Sequence, residues 1–224
     1  MFEDRKDAGK KLARALERYR NSDALVLAIP RGGVEVGYEV ARHLGTDFSL
    51  LISRKLPFPD NPESGFGAIA EDGSLFLNEY AARAVPPATI RTIIRQQEEE
   101  IRRRTRILRN DEPLPSLRGR TVILVDDGIA MGSTMMAAIR LCRAAGAAQV
   151  IVAAPVGGER VTDEIARQAD GIVVLDVPPI FYAVAQVYRN WYDVPDEEVM
   201  RIMSRWRAEH PAPSEPRRGG SAKR

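Results

Sequence analysis

Cysteine is almost missing from this chain of 224 residues: Cys142 stands alone, so no internal disulfide can form. It falls inside the apolar helical pattern AAIRLCRAAG with no histidine nearby, and reads as filler of a reduced interior rather than a nucleophile. Histidine is nearly as scarce. His43 and His210 have no partners in sequence and read as surface residues, and no run of His, Cys and carboxylates has the look of a metal cluster. Apolar runs are short, none approaching the roughly 20 residues of a membrane span, and the opening MFEDRKDAGKK has no apolar segment of the secretory kind. Charge bias is slight. A net charge of +2 gives no electrostatic reason to expect nucleic acid or anionic membrane as a partner. Two nucleotide signatures are also absent: G-x-G-x-x-G does not occur, and the small-residue loop starting at Gly128 lacks the lysine of a P-loop. The expectation is a cytoplasmic globular protein.

The residues that are present form an alternating pattern. An amphipathic helix is expected over Asp7–Tyr19, from apolar residues at Ala8, Leu12, Ala15, Leu16 and Tyr19. A short strand (Ala24–Ile29), a glycine loop and a helix ended by Gly45 follow, then a second strand in DFSLLIS. The proline- and glycine-rich RKLPFPDNPESGFGAIAEDGSLFLN suits a mobile loop leading into a β-hairpin around Asp72-Gly73. From Pro87 the isoleucines at 90, 93, 94 and 101 with Leu108 predict a helix of roughly 22 residues, about 33 Å long. Its EEEIRRR segment reads as a solvated face with Glu–Arg pairs, in preference to a basic patch for nucleic acid. Strands at TVILV, AQVIVAAPV and GIVVLD alternate with further helices and lack period-two alternation. That predicts an α/β fold with a parallel sheet covered by helices on both faces. A single domain is expected over 1–210, with an aromatic hood from about 176 to 205, and 211–224 is expected to be a disordered tail.

The stretch TVILVDDGIAMGSTMMAAI carries the chemistry. A buried strand stops at two adjacent aspartates, and a small-residue loop then opens a helix. In open α/β sheets ligands bind beyond the carboxyl ends of strands. The first N–H groups of a helix lack partners and favour a phosphate. Gly132 lets backbone approach the anion, and Ser133 and Thr134 add hydroxyl donors. Asp126 and Asp127 would repel phosphate, yet they suit vicinal hydroxyls and Mg²⁺. The parts together describe a sugar phosphate. DDG alone reads as an Asx turn and helix cap, and PRGG alone as a turn before a helix; their order along the chain is what raises both.

The stretch VILVDDGIAMGSTMMAAI resembles the phosphoribosyl pyrophosphate signature of the type I phosphoribosyltransferases, and LAIPRGG resembles their pyrophosphate loop. The resemblance spans most of residues 1–205. It implies a Rossmann-like parallel-sheet core and transfer of a 5-phosphoribosyl group from phosphoribosyl pyrophosphate to a nitrogenous base. It places the ribose hydroxyls on Asp126 and Asp127 and the 5′-phosphate on Gly128 and Ala130, Met131, Gly132, Ser133 and Thr134. It places pyrophosphate on Pro30, Arg31, Gly32 and Gly33, with Arg54 and Lys55 of the mobile loop as further cations. The catalytic set is then Asp126, Asp127, Arg31 and Lys55. Mg²⁺ would arrive with the diphosphate, with Asp126 and Asp127 as its protein contacts. Phe181 or Tyr182 of the hood would stack on the base, or else both belong to the core, and Tyr188, Trp191 and Tyr192 read as packing or interface residues. Homodimerisation is common in the family, and exposed aromatics permit it.

RK…NPE…GA…EDG, with Phe181–Val184 and Asp196–Val199 further on, is similar to a bacterial subgroup of predicted phosphoribosyltransferases whose acceptor is unassigned. Two departures stand out. Ala130 sits where many 6-oxopurine enzymes of the family carry an acid acting as base toward the purine, and Met131 replaces a small or hydroxyl residue. A hypoxanthine–guanine enzyme is disfavoured. The alternative to an enzyme is a non-catalytic regulatory module that binds phosphoribosyl pyrophosphate or a nucleotide.

Overall fold

The computed structural model describes residues 1–211. The tail expected from 211 onward therefore lies, apart from Pro211, outside the described residues. A five-stranded parallel sheet forms the centre, built from β1 (Leu25–Ala28), β2 (Asp47–Leu50), β6 (Thr121–Val125), β7 (Gln149–Val156) and β8 (Gly171–Asp176) in the order β2-β1-β6-β7-β8. Successive residues of each strand feed opposite cores. Val26, Ala28, Ile123 and Val125 join the core under α1 (Arg5–Ala15) and α2 (Gly33–Leu44), while Leu25, Leu27, Val122 and Leu124 join the core under α5 (Ser133–Ala144). Both faces being covered explains why these strands read as continuous apolar runs. Cys142 is buried in the α5 core, where burial pushes its thiol up to about 12.

The chain leaves β1 and β6 in opposite directions across the sheet, toward β2 and toward β7, although the two strands lie side by side with Ala28 opposite Val125. That reversal opens a crevice at the carboxyl ends of the two strands. Both motif loops start there.

The region expected to be a mobile loop is instead mostly strand. β3 (Ser53–Phe58), β4 (Asn61–Ala70) and β5 (Leu75–Leu77) make a separate three-stranded antiparallel sheet, with the β4–β5 turn at Asp72-Gly73 as expected. Pro57 is accommodated because β3 is an edge strand whose register shifts on either side of it. The buried half of β4 packs on α5, which puts the β3–β4 hairpin over the crevice. After the short α3 (Glu79–Ala82), α4 (Pro87–Arg109) runs nearly as predicted, with proline at its first turn and Asn110 at φ 55° closing it. Arg109 anchors its far end by a two-pronged pair with Glu71 and a bond to Leu50 O.

The C-terminal region divides differently from the expected hood. After α6 (Glu159–Ala166) and β8, a strap over residues 177–195 crosses the crevice and pairs with the N-terminus through the Phe2–Tyr188 bridge. From Asp196 onward, α7 (Asp196–Glu209) leaves that region and packs on α2 and α4. Its apolar stripe of Val199, Met203 and Trp206 is the cause. Trp206 sits edge-on to Phe48 at 5.2 Å and Tyr38 at 6.0 Å, and His210 stacks on it at 3.8 Å.

Candidate functional site

Beyond β6 the chain pairs once more with the end of β7, Ile129 N donating to Val156 O at 2.8 Å, and then turns into α5 through Gly132. Gly132 has φ 73°, and a β-carbon on it would lie 2.5 Å from Val161 of α6. Both constraints demand glycine. A side chain here would collide with α6, so the glycine is required by packing and by its positive φ. Among the described residues, no acceptor takes a hydrogen bond from the N–H groups of Ala130 through Thr134, and the first helical bond is Met136 N to Gly132 O at 2.9 Å. Unpaired donors at a helix start suit an anion.

Asp126 and Asp127 sit just before this loop. Asp126 Oδ1 accepts from Asp127 N at 2.8 Å, and burial, then the charge of Asp127, raises the Asp126 carboxyl well above the usual carboxylate range. The loop after β1 presses on the same pair. A β-carbon on Gly32 would be 1.8 Å from Asp127 Oδ2, and one on Gly33 would be 2.9 Å from Asp126 Cα. The structure thus brings the PRGG loop and the acid pair into contact; the Pro30–Arg31 peptide is cis.

The cations spread around this centre. Arg31 Nη1 lies 3.6 Å from Asp196 Oδ1 at the start of α7, whose Oδ2 accepts from Arg103 at 3.1 Å. Arg54 and Lys55 are neighbours on a strand and so point to opposite sides. Arg54 Nε donates to Gln97 Oε1 of α4 at 3.1 Å; burial, then the charge of Arg104, lowers its pKa. Lys55 lines a cleft of about 230 Å³ with Asp126, Ala130, Met131, Ser133 and Thr134, and burial lowers its pKa too. A larger hollow of about 470 Å³ opens beyond Met131, lined among others by Phe58, Phe76, Ala130, Gly158, Pro178 and Phe181. The two hood aromatics separate here. Phe181 turns in to line that hollow, while Tyr182, 87% exposed, lines none of these cavities, which corrects its assignment as a stacking residue.

Sequence reasoning missed Arg5. Its Nε donates to Asp127 Oδ2 at 2.7 Å and its Nη1 to Tyr192 O at 2.9 Å, and its guanidinium lies 4.0 Å from the centroid of Trp191. Tyr188 Oη donates to Asp127 O at 2.7 Å. Of the aromatics expected to pack or to form an interface, Tyr188 is buried, while Trp191 and Tyr192 are 37% and 44% exposed and flank Arg5. The one local signal was Asp4, which accepts from Asp7 N at 2.7 Å and so caps a helix starting at Arg5, not Asp7.

Among the described residues, no group of three or more His, Cys, Asp and Glu side chains could hold a metal unaided. Apart from the hydrogen bond between the two carboxyl groups themselves, Asp126 Oδ2 and Asp127 Oδ1 take no hydrogen bond from an N–H or hydroxyl group of the described residues, and two such carboxylate oxygens fit a Mg²⁺ that takes its remaining ligands from phosphates and water. No helix of the described residues is long and apolar enough to cross a membrane.

Residues 2–190 match the family model described as the phosphoribosyl transferase domain. "Putative phosphoribosyl transferase Rv0571c" of Mycobacterium tuberculosis (strain ATCC 25618 / H37Rv) is 40% identical over 207 residues, covering 92% of this chain and 47% of that protein. The chain thus spans about half the length of the curated relatives it matches. The crystal structure of TT1426 from Thermus thermophilus superposes with TM-score 0.77 at 38% identity, covering 92% of this chain and 98% of that one. The AQ2163 protein from Aquifex aeolicus, at 13% identity and TM-score 0.50 over 77% of this chain and 74% of its own, shares the fold. With the family model covering nearly all of the described residues, the chain belongs to the phosphoribosyl transferase domain family.

Proposed function

We propose that this protein transfers the 5-phosphoribosyl group of phosphoribosyl pyrophosphate to a nitrogenous base and releases pyrophosphate. One observation carries the reading. A loop of unpaired N–H groups, an acid pair, and a glycine loop touching that pair meet at the crevice where the strand order reverses. In this reading the 5′-phosphate rests on Ala130 through Thr134, and the ribose hydroxyls donate to Asp126 and Asp127. The diphosphate lies along Arg31, Gly32 and Gly33, within reach of Arg54 and Lys55. The acceptor nitrogen forms a bond to C1′ as the C1′–O bond breaks, its electron pair leaving with pyrophosphate. Positive charge grows on the ribose in the transition state, and the acid pair is placed to oppose it. Mg²⁺, when bound with the diphosphate, offsets the charge on the leaving group. The hairpin carrying Lys55 and Glu63 stands over the cleft and would limit access of water.

The hollow beside Ala130 is the candidate acceptor site. Its 470 Å³ falls in the usual range for small-molecule pockets, and Phe181 offers an aromatic face. Because Ala130 carries no base, the acceptor's proton passes to water, to the diphosphate or to a carboxylate lining the hollow, Glu159 or Glu164. The same residue, with Met131 62% exposed beside it, favours a second reading: a module that binds phosphoribosyl pyrophosphate or a nucleotide without turnover. Incubation with Mg²⁺, phosphoribosyl pyrophosphate and a panel of bases separates the two. Base-dependent pyrophosphate release is expected; tight binding without release across the panel would establish the regulator. The reading carries with it a cytoplasmic setting and small-molecule partners.

A further inference from the structure

Arg5 is remote from the acid pair in sequence, 122 positions before Asp127, yet only 3% of its side chain is exposed and its Nε reaches the acid pair directly. Its Nε holds Asp127 Oδ2, and the backbone of Gly32 closes over that same oxygen so tightly that no β-carbon fits. No N–H or hydroxyl group of the described residues donates to Oδ1 of the same carboxylate, whose other hydrogen-bonding neighbour is the Asp126 carboxyl. A carboxylate's terminal torsion is otherwise broad. The other end of the guanidinium grips Tyr192 O and lies over Trp191, so the strap and the carboxylate share one anchor. Tyr188 adds a second link, its hydroxyl on Asp127 O. Arg5 has another acid within sight, since Glu35 Oε2 is buried, lacks a hydrogen-bond partner, and stands 4.0 Å from Nη1. The hydrogen bond goes to Asp127 all the same.

We infer that Arg5 is a positioning residue: it fixes Asp127 Oδ2 so that Oδ1 is the oxygen left for a ribose hydroxyl, and it makes that orientation depend on the closed strap. The inference rests on the proposed sugar-diphosphate site. It adds that the acid pair is not competent alone, and that the N-terminal turn of α1 belongs to the machinery although it touches no substrate. A lysine would keep the positive charge over Trp191 but could not donate from a rigid fork to Asp127 and Tyr192 together.

A double-mutant cycle tests it, with wild type, Arg5→Met, Asp127→Asn and the double variant compared in affinity for phosphoribosyl pyrophosphate by calorimetry and in pyrophosphate release. Arg5→Met should lose about tenfold or more in wild type and less than about twofold in the Asp127→Asn background. Equal losses in both backgrounds would mean that Arg5 acts on folding alone, and would overturn the inference. Arg5→Lys guards against an unfolded variant. It should keep the wild-type melting temperature within a few degrees while losing turnover, and undiminished turnover would also overturn the role. A wild-type protein that neither binds nor consumes the sugar diphosphate would remove the functional reading, and this inference with it. Binding by wild type with additive losses would remove the role of Arg5 alone.

Discussion

The two halves of the cleft hold charge by different means. At the end proposed for phosphate, Ala130 through Thr134 present main-chain donors that follow from helix geometry, and the local requirement is a glycine at position 132. At the end proposed for the sugar, Asp127 is held by Arg5 from the first helix, by Tyr188 from the strap and by the backbone of Gly32. The first half is assembled from contiguous residues and needs little from the rest of the fold. The second joins segments from both ends of the described chain, and its geometry is only as good as their packing. Anion binding should therefore outlast sugar recognition when the fold is loosened.

The largest expected effect comes from removing the charges at the sugar end. Asp126→Asn combined with Asp127→Asn should lower pyrophosphate release by about 100- to 1000-fold, the scale for a lost electrostatic stabiliser. Inorganic phosphate binding at the loop should persist, and calorimetry that finds it abolished would erase the division between the halves. Gly132→Val strikes the other half. A branched side chain at positive φ, aimed at Val161, should lower stability by about 2–4 kcal/mol and weaken phosphate binding with it. Denaturant melts and phosphate titration together check this. Thr134→Val removes one hydroxyl from a site rich in backbone donors. A loss of about three- to tenfold in phosphate affinity is expected, and a far larger one would mean that side chains dominate there.

The smallest effect concerns the protein without substrate. The Asp126 carboxyl has a raised pKa in the folded state, so it contributes stability at pH below its unfolded value near 3.8, and that contribution is lost as pH rises through the folded value. As pH rises above the unfolded value, the buried carboxyl costs folding free energy. Asp126→Asn should therefore raise the melting temperature at pH 7, by about 2–4 °C for each 1 kcal/mol recovered in a domain of this size. The gain should fade toward pH 4. An unchanged melting temperature at pH 7 would mean that the acid pair carries no strain in the free protein.

How much of this could be read from the residues follows the same division. The parallel sheet, the acid pair, Gly132 and the PRGG loop were legible because strand, loop and helix start are each contiguous and carry their own patterns. Arg5 was not, since in EDRKDAG it looks like one more charge on a solvated helix face, and its partners lie 122 and 187 positions away. The Arg31–Asp196 contact was hidden for the same reason. Phe181 and Tyr182 are adjacent, and nothing in the sequence distinguishes the one turned toward the hollow from the one turned to solvent. The hairpin was misread as a loop because its prolines and glycines signal irregular chain, whereas an edge strand with shifted register tolerates them.

The solitary thiol has a practical use. Cys142 is sealed on the inner face of α5, the helix whose start presents the unpaired N–H groups, and it stays protonated at any ordinary pH. A sulfhydryl reagent can reach it only in molecules where that helix has lifted from the sheet, so labelling kinetics become a clock for such openings. A ligand that engages the start of α5 should slow the clock. The chain thus carries its own binding assay, free of any engineered probe.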